Sequence, residues 1–150
     1  MEENILEIVE KSCRIYRDVI AVKYLSHREI VEKSYGDMWD DIRKTAVILR
    51  NNGLCGTHIA LVGSSSYEWI CAYMAILFTG NTAVPLDANL STPELHELLN
   101  RSESTALFCG ASRKDVITEL TDDCPEMNIV FTMEKKVDIE HLEGADSNPQ

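Results

Sequence analysis

The stretch Val62-Gly-Ser-Ser-Ser-Tyr-Glu-Trp69 decides how this chain is read. It follows the apolar run His58-Ile-Ala-Leu-Val62 and leads into the longest unbroken apolar run of the sequence, Trp69 to Phe78. Five apolar-rich residues closed by glycine read as a buried strand, and the longer run as a buried helix too short to cross a bilayer. Between them, three serines could cradle phosphate, hold a nucleophile on a sharp turn, or cap a helix. The nucleophile elbow needs G-x-S-x-G, and Tyr67 stands where the second glycine belongs. A Walker loop needs Gly-Lys, which occurs nowhere in the chain, and the dinucleotide pattern G-x-G-x-x-G is also absent. Ser65-x-x-Glu68 matches a capping box, so the serines are expected to open a helix. The same loop also sits where open α/β sheets bind ligands, at the carboxyl end of a strand, and that second reading stays open.

Working outward, the chain alternates strand and helix. Strands are expected at 58–62, 82–85, 105–109 and 128–132, with helices at about 66–79, 93–102 and 112–121. The second helix opens on Ser91-Thr-Pro-Glu94, a capping box with an early proline, and turns Leu95, Leu98 and Leu99 inward. The third opens on Ser112-x-x-Asp115 and turns Val116, Ile117 and Leu120 inward. Upstream, a short amphipathic segment at 5–9 precedes a hairpin of 19–24 and 29–33, turning at Ser26-His27. A helix capped by Ser34 and Asp37 follows, carries Met38, Ile42, Thr45 and Leu49 on one face, and stops at Asn51-Asn52-Gly53. This order predicts an α/β, Rossmann-like three-layer unit: a mainly parallel sheet with helices on both faces, preceded by a β-hairpin. One domain is expected over 1–143, with 144–150 a loose boundary segment; residues from Glu134 onward show no clear period.

Composition narrows the classes. A formal net charge of −11 disfavours nucleic acid, whose binding rests on Lys and Arg. The acidic start MEENILEIVEK lacks the basic region of an export signal, and no transmembrane segment is expected. Five cysteines (13, 55, 71, 109, 124) form no C-x-x-C pair, which fits a reducing cytoplasm. Four histidines (27, 58, 96, 141) form no ligand pair at helical spacing. No catalytic, cofactor-binding or metal-ligating residue is nominated.

Three motifs, in order, resemble those of the AMP-forming, adenylate-forming enzymes. Ser34-Tyr-Gly-Asp-Met38 resembles the family's [ST]-Y-x-x-L, with methionine in place of leucine. Ile59-Ala-Leu-Val-Gly-Ser-Ser-Ser-Tyr-Glu-Trp69 resembles its strand followed by N-S-x-E. Leu77-Phe-Thr-Gly-Asn-Thr-Ala-Val-Pro-Leu-Asp87 resembles its G-x-x-x-V-P-[IL]-[DN]. The likeness runs from about Val19 to Thr132 and leans towards acyl-CoA synthetases of the fatty acid–CoA ligase type.

The resemblance implies the N-terminal part of an ATP-dependent acid–thiol ligase working through an acyl-adenylate, with ATP, Mg and CoA used by the full-length enzyme. The family's phosphate loop ending in Pro-Lys-Gly, its ribose aspartate and its C-terminal lysine match no position here. The chain by itself is therefore expected to hold no cofactor and to be inactive. Its expected partner is the remainder of the ligase polypeptide. A homodimer through uncovered edges, the hairpin and 128–132, is the other expectation. The rival reading is a free-standing flavodoxin-like binding or interaction module.

Overall fold

In the strand His58–Val62, Ile59 and Leu61 point to one face and Ala60 and Val62 to the other, and all four are fully buried. A strand buried on both faces needs helices on both, and the computed structural model, which describes residues 4–64, 66–133 and 137–141, supplies them. The elements are α1 (Ile5–Ile15), β1 (Ile20–Ser26), β2 (Glu29–Ser34), α2 (Tyr35–Asn51), β3 (His58–Val62), α3 (Tyr67–Phe78) and β4 (Thr82–Leu86). After these come α4 (Thr92–Arg101), β5 (Ala106–Gly110), a 3-10 segment (Ala111–Ile117), α5 (Leu120–Asp123), β6 (Ile129–Met133) and β7 (Val137–His141).

The main sheet has the order β4-β3-β5-β6-β7, parallel except for β7. Ile59, Leu61, Phe108 and Phe131 face α2 and α3, where Ile42, Leu49, Ala75 and Ile76 complete one core layer. Phe108 and Phe131 stack there with ring centroids 4.7 Å apart. Ala60, Val62, Leu107 and Val130 face Leu95 and Leu99 of α4, together with Val116 and Leu120. Each large side chain so buried contributes about 1.5–3 kcal/mol. The three-layer α/β architecture read from the sequence is the one observed. β1 and β2 form a separate antiparallel hairpin, turning through His27 and Arg28, both at positive φ.

Helix ends follow local chemistry. Ser34 with Asp37 and Ser91 with Glu94 form reciprocal capping boxes, as their spacing predicts. α2 stops at Gly53 (φ 73°), where Leu54 N–H reaches Leu49 O and Gly53 N–H reaches Arg50 O. α4 stops in the same pattern, with Ser104 N–H on Leu99 O, but Glu103 occupies the left-handed position at φ 56°.

Four expectations are corrected. The cap of α3 is Ser66, whose hydroxyl accepts from Trp69 N–H; Ser65 lies outside the described residues. The helix expected at 112–121 is a 3-10 segment and a short α5, broken at Arg113 (φ −123°, ψ 31°) and Glu119 (φ 58°). No side chain caps it, since its N-cap is Gly110, and Asp115 is bound by Arg113 and Thr92. Strand 128–132 is not an edge: β7 pairs along β6, with Phe131 opposite Ile139. α1 extends well beyond 5–9, to Ile15. The expected boundary segment 144–150 lies outside the described residues.

Candidate functional site

β3 leads into α3 on one face of the sheet, and β5 leads into the 3-10 segment on the other. Neighbouring parallel strands whose following segments leave to opposite faces open a crevice at their carboxyl ends, where open α/β sheets bind ligands. Here it is a cleft of about 270 Å³, lined by Gly63, Ser64, Ser66, Glu68, Gly110, Ala111, Ser112 and Met133.

Two glycines shape its floor. A Cβ placed on Gly110 would lie 3.3 Å from Gly63 Cα and 3.6 Å from Val62 O. A Cβ on Gly63 would meet Gly110 N and Cα at 3.4 Å and Met133 Cε at 3.7 Å. Neither strand end carries a side chain, so the two backbones lie close together at the floor. The β5 wall is held from behind by Arg113. Its Nη1 donates to Ala88 O and Leu90 O, each at 2.7 Å, and its Nε and Nη2 grip Asp115 at 3.0 and 2.9 Å. Those bonds from Arg113, with one from the Thr92 hydroxyl, hold the Asp115 carboxyl well below the usual carboxylate range.

The β3 wall is anchored by Tyr67, the first residue of α3. Its hydroxyl donates to Asp41 Oδ2 at 2.6 Å, and its ring stacks on Tyr24 of the hairpin at 5.4 Å. Lys33 Nζ sits 5.4 Å over the same ring and 3.6 Å from Asp41 Oδ2. Burial and the bond to Asp41 push the Tyr67 phenol far up. A larger groove of about 1560 Å³ between the hairpin, α2 and α3 shares Ser64, Ser66 and Glu68 with the cleft.

Of the two roles the sequence left open, the structure shows the cap. Ser66 caps α3 with a 3.1 Å bond, and Ser64 is exposed at the mouth of the cleft. Sequence reasoning did not single out Gly110, Ser112 or Met133 for this site, and used Glu68 only as a capping residue. A glycine closing each of two apolar runs was the available signal.

Residues 9–149 match the family of AMP-binding enzymes. The chain belongs to that family. A CoA ligase of Gibberella moniliformis is 32% identical over 87 residues, 52% of this chain and 14% of its own. A hybrid PKS-NRPS synthetase of Emericella nidulans is 31% identical over 90 residues, 59% of this chain and 2% of its own. The fold recurs in the coronafacic acid ligase of Pectobacterium brasiliense at TM-score 0.79 and 23% identity, over 89% of this chain and 26% of that one. This AMP-binding enzyme chain thus spans about a quarter of the solved ligase's length and a smaller part of the curated relatives'.

The family implies ATP and magnesium, so the cleft's donors are the relevant check. Its described lining carries serine hydroxyls and one carboxylate, Glu68, and no cation. Triphosphate calls for positive charge or converging N–H donors, so these residues do not fit it. Among the described residues, no group of three His, Cys, Asp or Glu side chains could hold a metal ion.

Proposed function

We propose that this chain is the N-terminal part of an ATP-dependent acid–thiol ligase of the acyl-CoA synthetase type, activating a carboxylic acid of the fatty class through its acyl-adenylate. The family match over residues 9–149 carries the reading. Motifs in family order at 34–38, 59–69 and 77–87 support it. In this reading the chain is inactive by itself, because phosphate handling falls to the remaining ligase polypeptide, its main partner. ATP, magnesium and CoA serve the assembled enzyme in the cytoplasm. Among the described residues no helix is long and apolar enough to cross a membrane.

A second reading for the acceptor rests on the hybrid synthetase relative: a carrier-protein thiol in place of CoA. Acid-dependent ATP–pyrophosphate exchange tests the proposal, measured on this chain alone and on the whole polypeptide its gene encodes, across short and long carboxylic acids. Exchange by the whole polypeptide only, strongest with fatty acids, is expected. Exchange by the 150-residue chain would overturn its inactivity. No exchange by either would overturn the ligase. CoA and a phosphopantetheinylated carrier, offered separately to the adenylate, decide the acceptor.

A further inference from the structure

His96 lies on the inner face of α4 with 3% of its surface exposed, and both of its ring nitrogens face acceptors. Nδ1 is 2.7 Å from Asp123 Oδ2, and Nε2 is 2.7 Å from the carbonyl oxygen of Val116. A carbonyl only accepts, and so does an ionised carboxylate. A neutral imidazole has a single N–H, so one nitrogen would present its lone pair to an oxygen lone pair at hydrogen-bond distance. Protonating Asp123 instead would satisfy the ring, but that side chain is half exposed to water, which favours its charged form. Only a doubly protonated ring satisfies every atom in place.

We infer that His96 is held as a buried imidazolium, tying α4 to the 3-10 segment through Val116 and to α5 through Asp123. The surroundings fit that role. Asp123 supplies the opposite charge from α5, while the 3-10 segment presents the Val116 carbonyl to the ring. Cys124, just past α5, turns its Sγ to the His96 carbonyl at 3.4 Å rather than to the ring. Asn100 Nδ2 donates to the Asp123 carbonyl at 2.7 Å, so Asp123 is fixed through its backbone as well as its side chain. The segment held this way begins at Ala111 and Ser112, which form one wall of the cleft. The tie is complete when Asp123 accepts from Nδ1 and the Val116 carbonyl accepts from Nε2 of the same ring. The cleft wall is thereby held by a bond that a proton completes.

Long-range 1H–15N spectra of the 15N-histidine protein at about pH 7.5 test this, since imidazolium and neutral tautomers differ at both nitrogens. The triple variant His27→Gln, His58→Gln, His141→Gln leaves His96 as the sole signal. Two protonated nitrogens are expected; one bare nitrogen overturns the inference. In Asp123→Asn, His96 is expected to become neutral at the same pH, and amide exchange over residues 111–117 to quicken about tenfold. An unchanged imidazolium with unchanged exchange would overturn the tie. Should that variant not fold, the spectrum of the parent protein decides.

Discussion

Gly63 and Gly110 meet backbone to backbone at the ends of neighbouring parallel strands, where a Cβ on Gly110 would lie 3.3 Å from Gly63 Cα. Gly110→Ala makes the end of β3 give by a few tenths of an ångström, an overpacking cost of about 1 kcal/mol. Urea unfolding should show the midpoint drop with the slope unchanged. A stability equal to the parent's would mean that the strand ends already have slack.

Ser66→Ala removes the hydroxyl that accepts from Trp69 N–H and should cost about 1 kcal/mol. Ser64→Ala, at the exposed mouth of the cleft, should leave stability within about 0.5 kcal/mol of the parent. Thermal unfolding of the two variants side by side checks the contrast.

Glu103 takes the left-handed position that closes α4, and an L side chain there costs about 1–2 kcal/mol. Part of that gain returns to the more flexible unfolded chain on substitution by glycine. Glu103→Gly should therefore stabilise by up to about 1 kcal/mol, raising Tm by roughly 2–4 °C in calorimetry. A lower Tm would show that the Glu103 side chain contributes something its backbone strain conceals.

Asp115 is held below the ordinary carboxylate range by Arg113 and Thr92. A depressed folded value adds stability that is present above the ordinary carboxylate pKa of about 3.9 and lost as pH falls below it. Asp115→Asn lacks this contribution at every pH. The stability gap between parent and variant should be open at about pH 7 and narrow steadily as pH falls below about 4 in urea titrations. Asp37 and Glu94, lowered by their bonds to Ser34 and Ser91, act in the same direction.

Local signals were legible where the deciding partner is close in sequence. Ser34 with Asp37 and Ser91 with Glu94 each span three residues, and Gly53 ends its own helix. Ser65 is the cap the sequence points to, because Glu68 completes its box. The structure puts Trp69 at the third position, leaving Glu68 to face the cleft. The helix expected from Ser112 failed for a distant reason: Asp115 is drawn to Thr92, and Arg113 to Ala88 and Leu90, none of them near in sequence. Val137-Asp-Ile-Glu-His alternates as a strand should, yet five residues in a charged context do not reveal an antiparallel partner in β6. The cleft was hidden for the same reason. Its lining comes from β5 and β6 as well as from the quoted loop, and only the sheet order brings them together.

The cysteines turn the molecule into its own unfolding clock. Burial pushes the Cys71 thiol up to about 12 and those of Cys109 and Cys124 up to about 11, and Cys13 is raised for the same reason. Cys55, beside the stop of α2, is the one thiol of the five that is exposed. Since the thiolate is the reactive form, alkylation at about pH 8 should mark a single site on the native chain, with the other four following only as fast as the structure opens. Mass spectrometry of a timed iodoacetamide reaction would then read opening rates layer by layer: Cys71 reports the α2–α3 side of the sheet, and Cys109 and Cys124 report the α4 side.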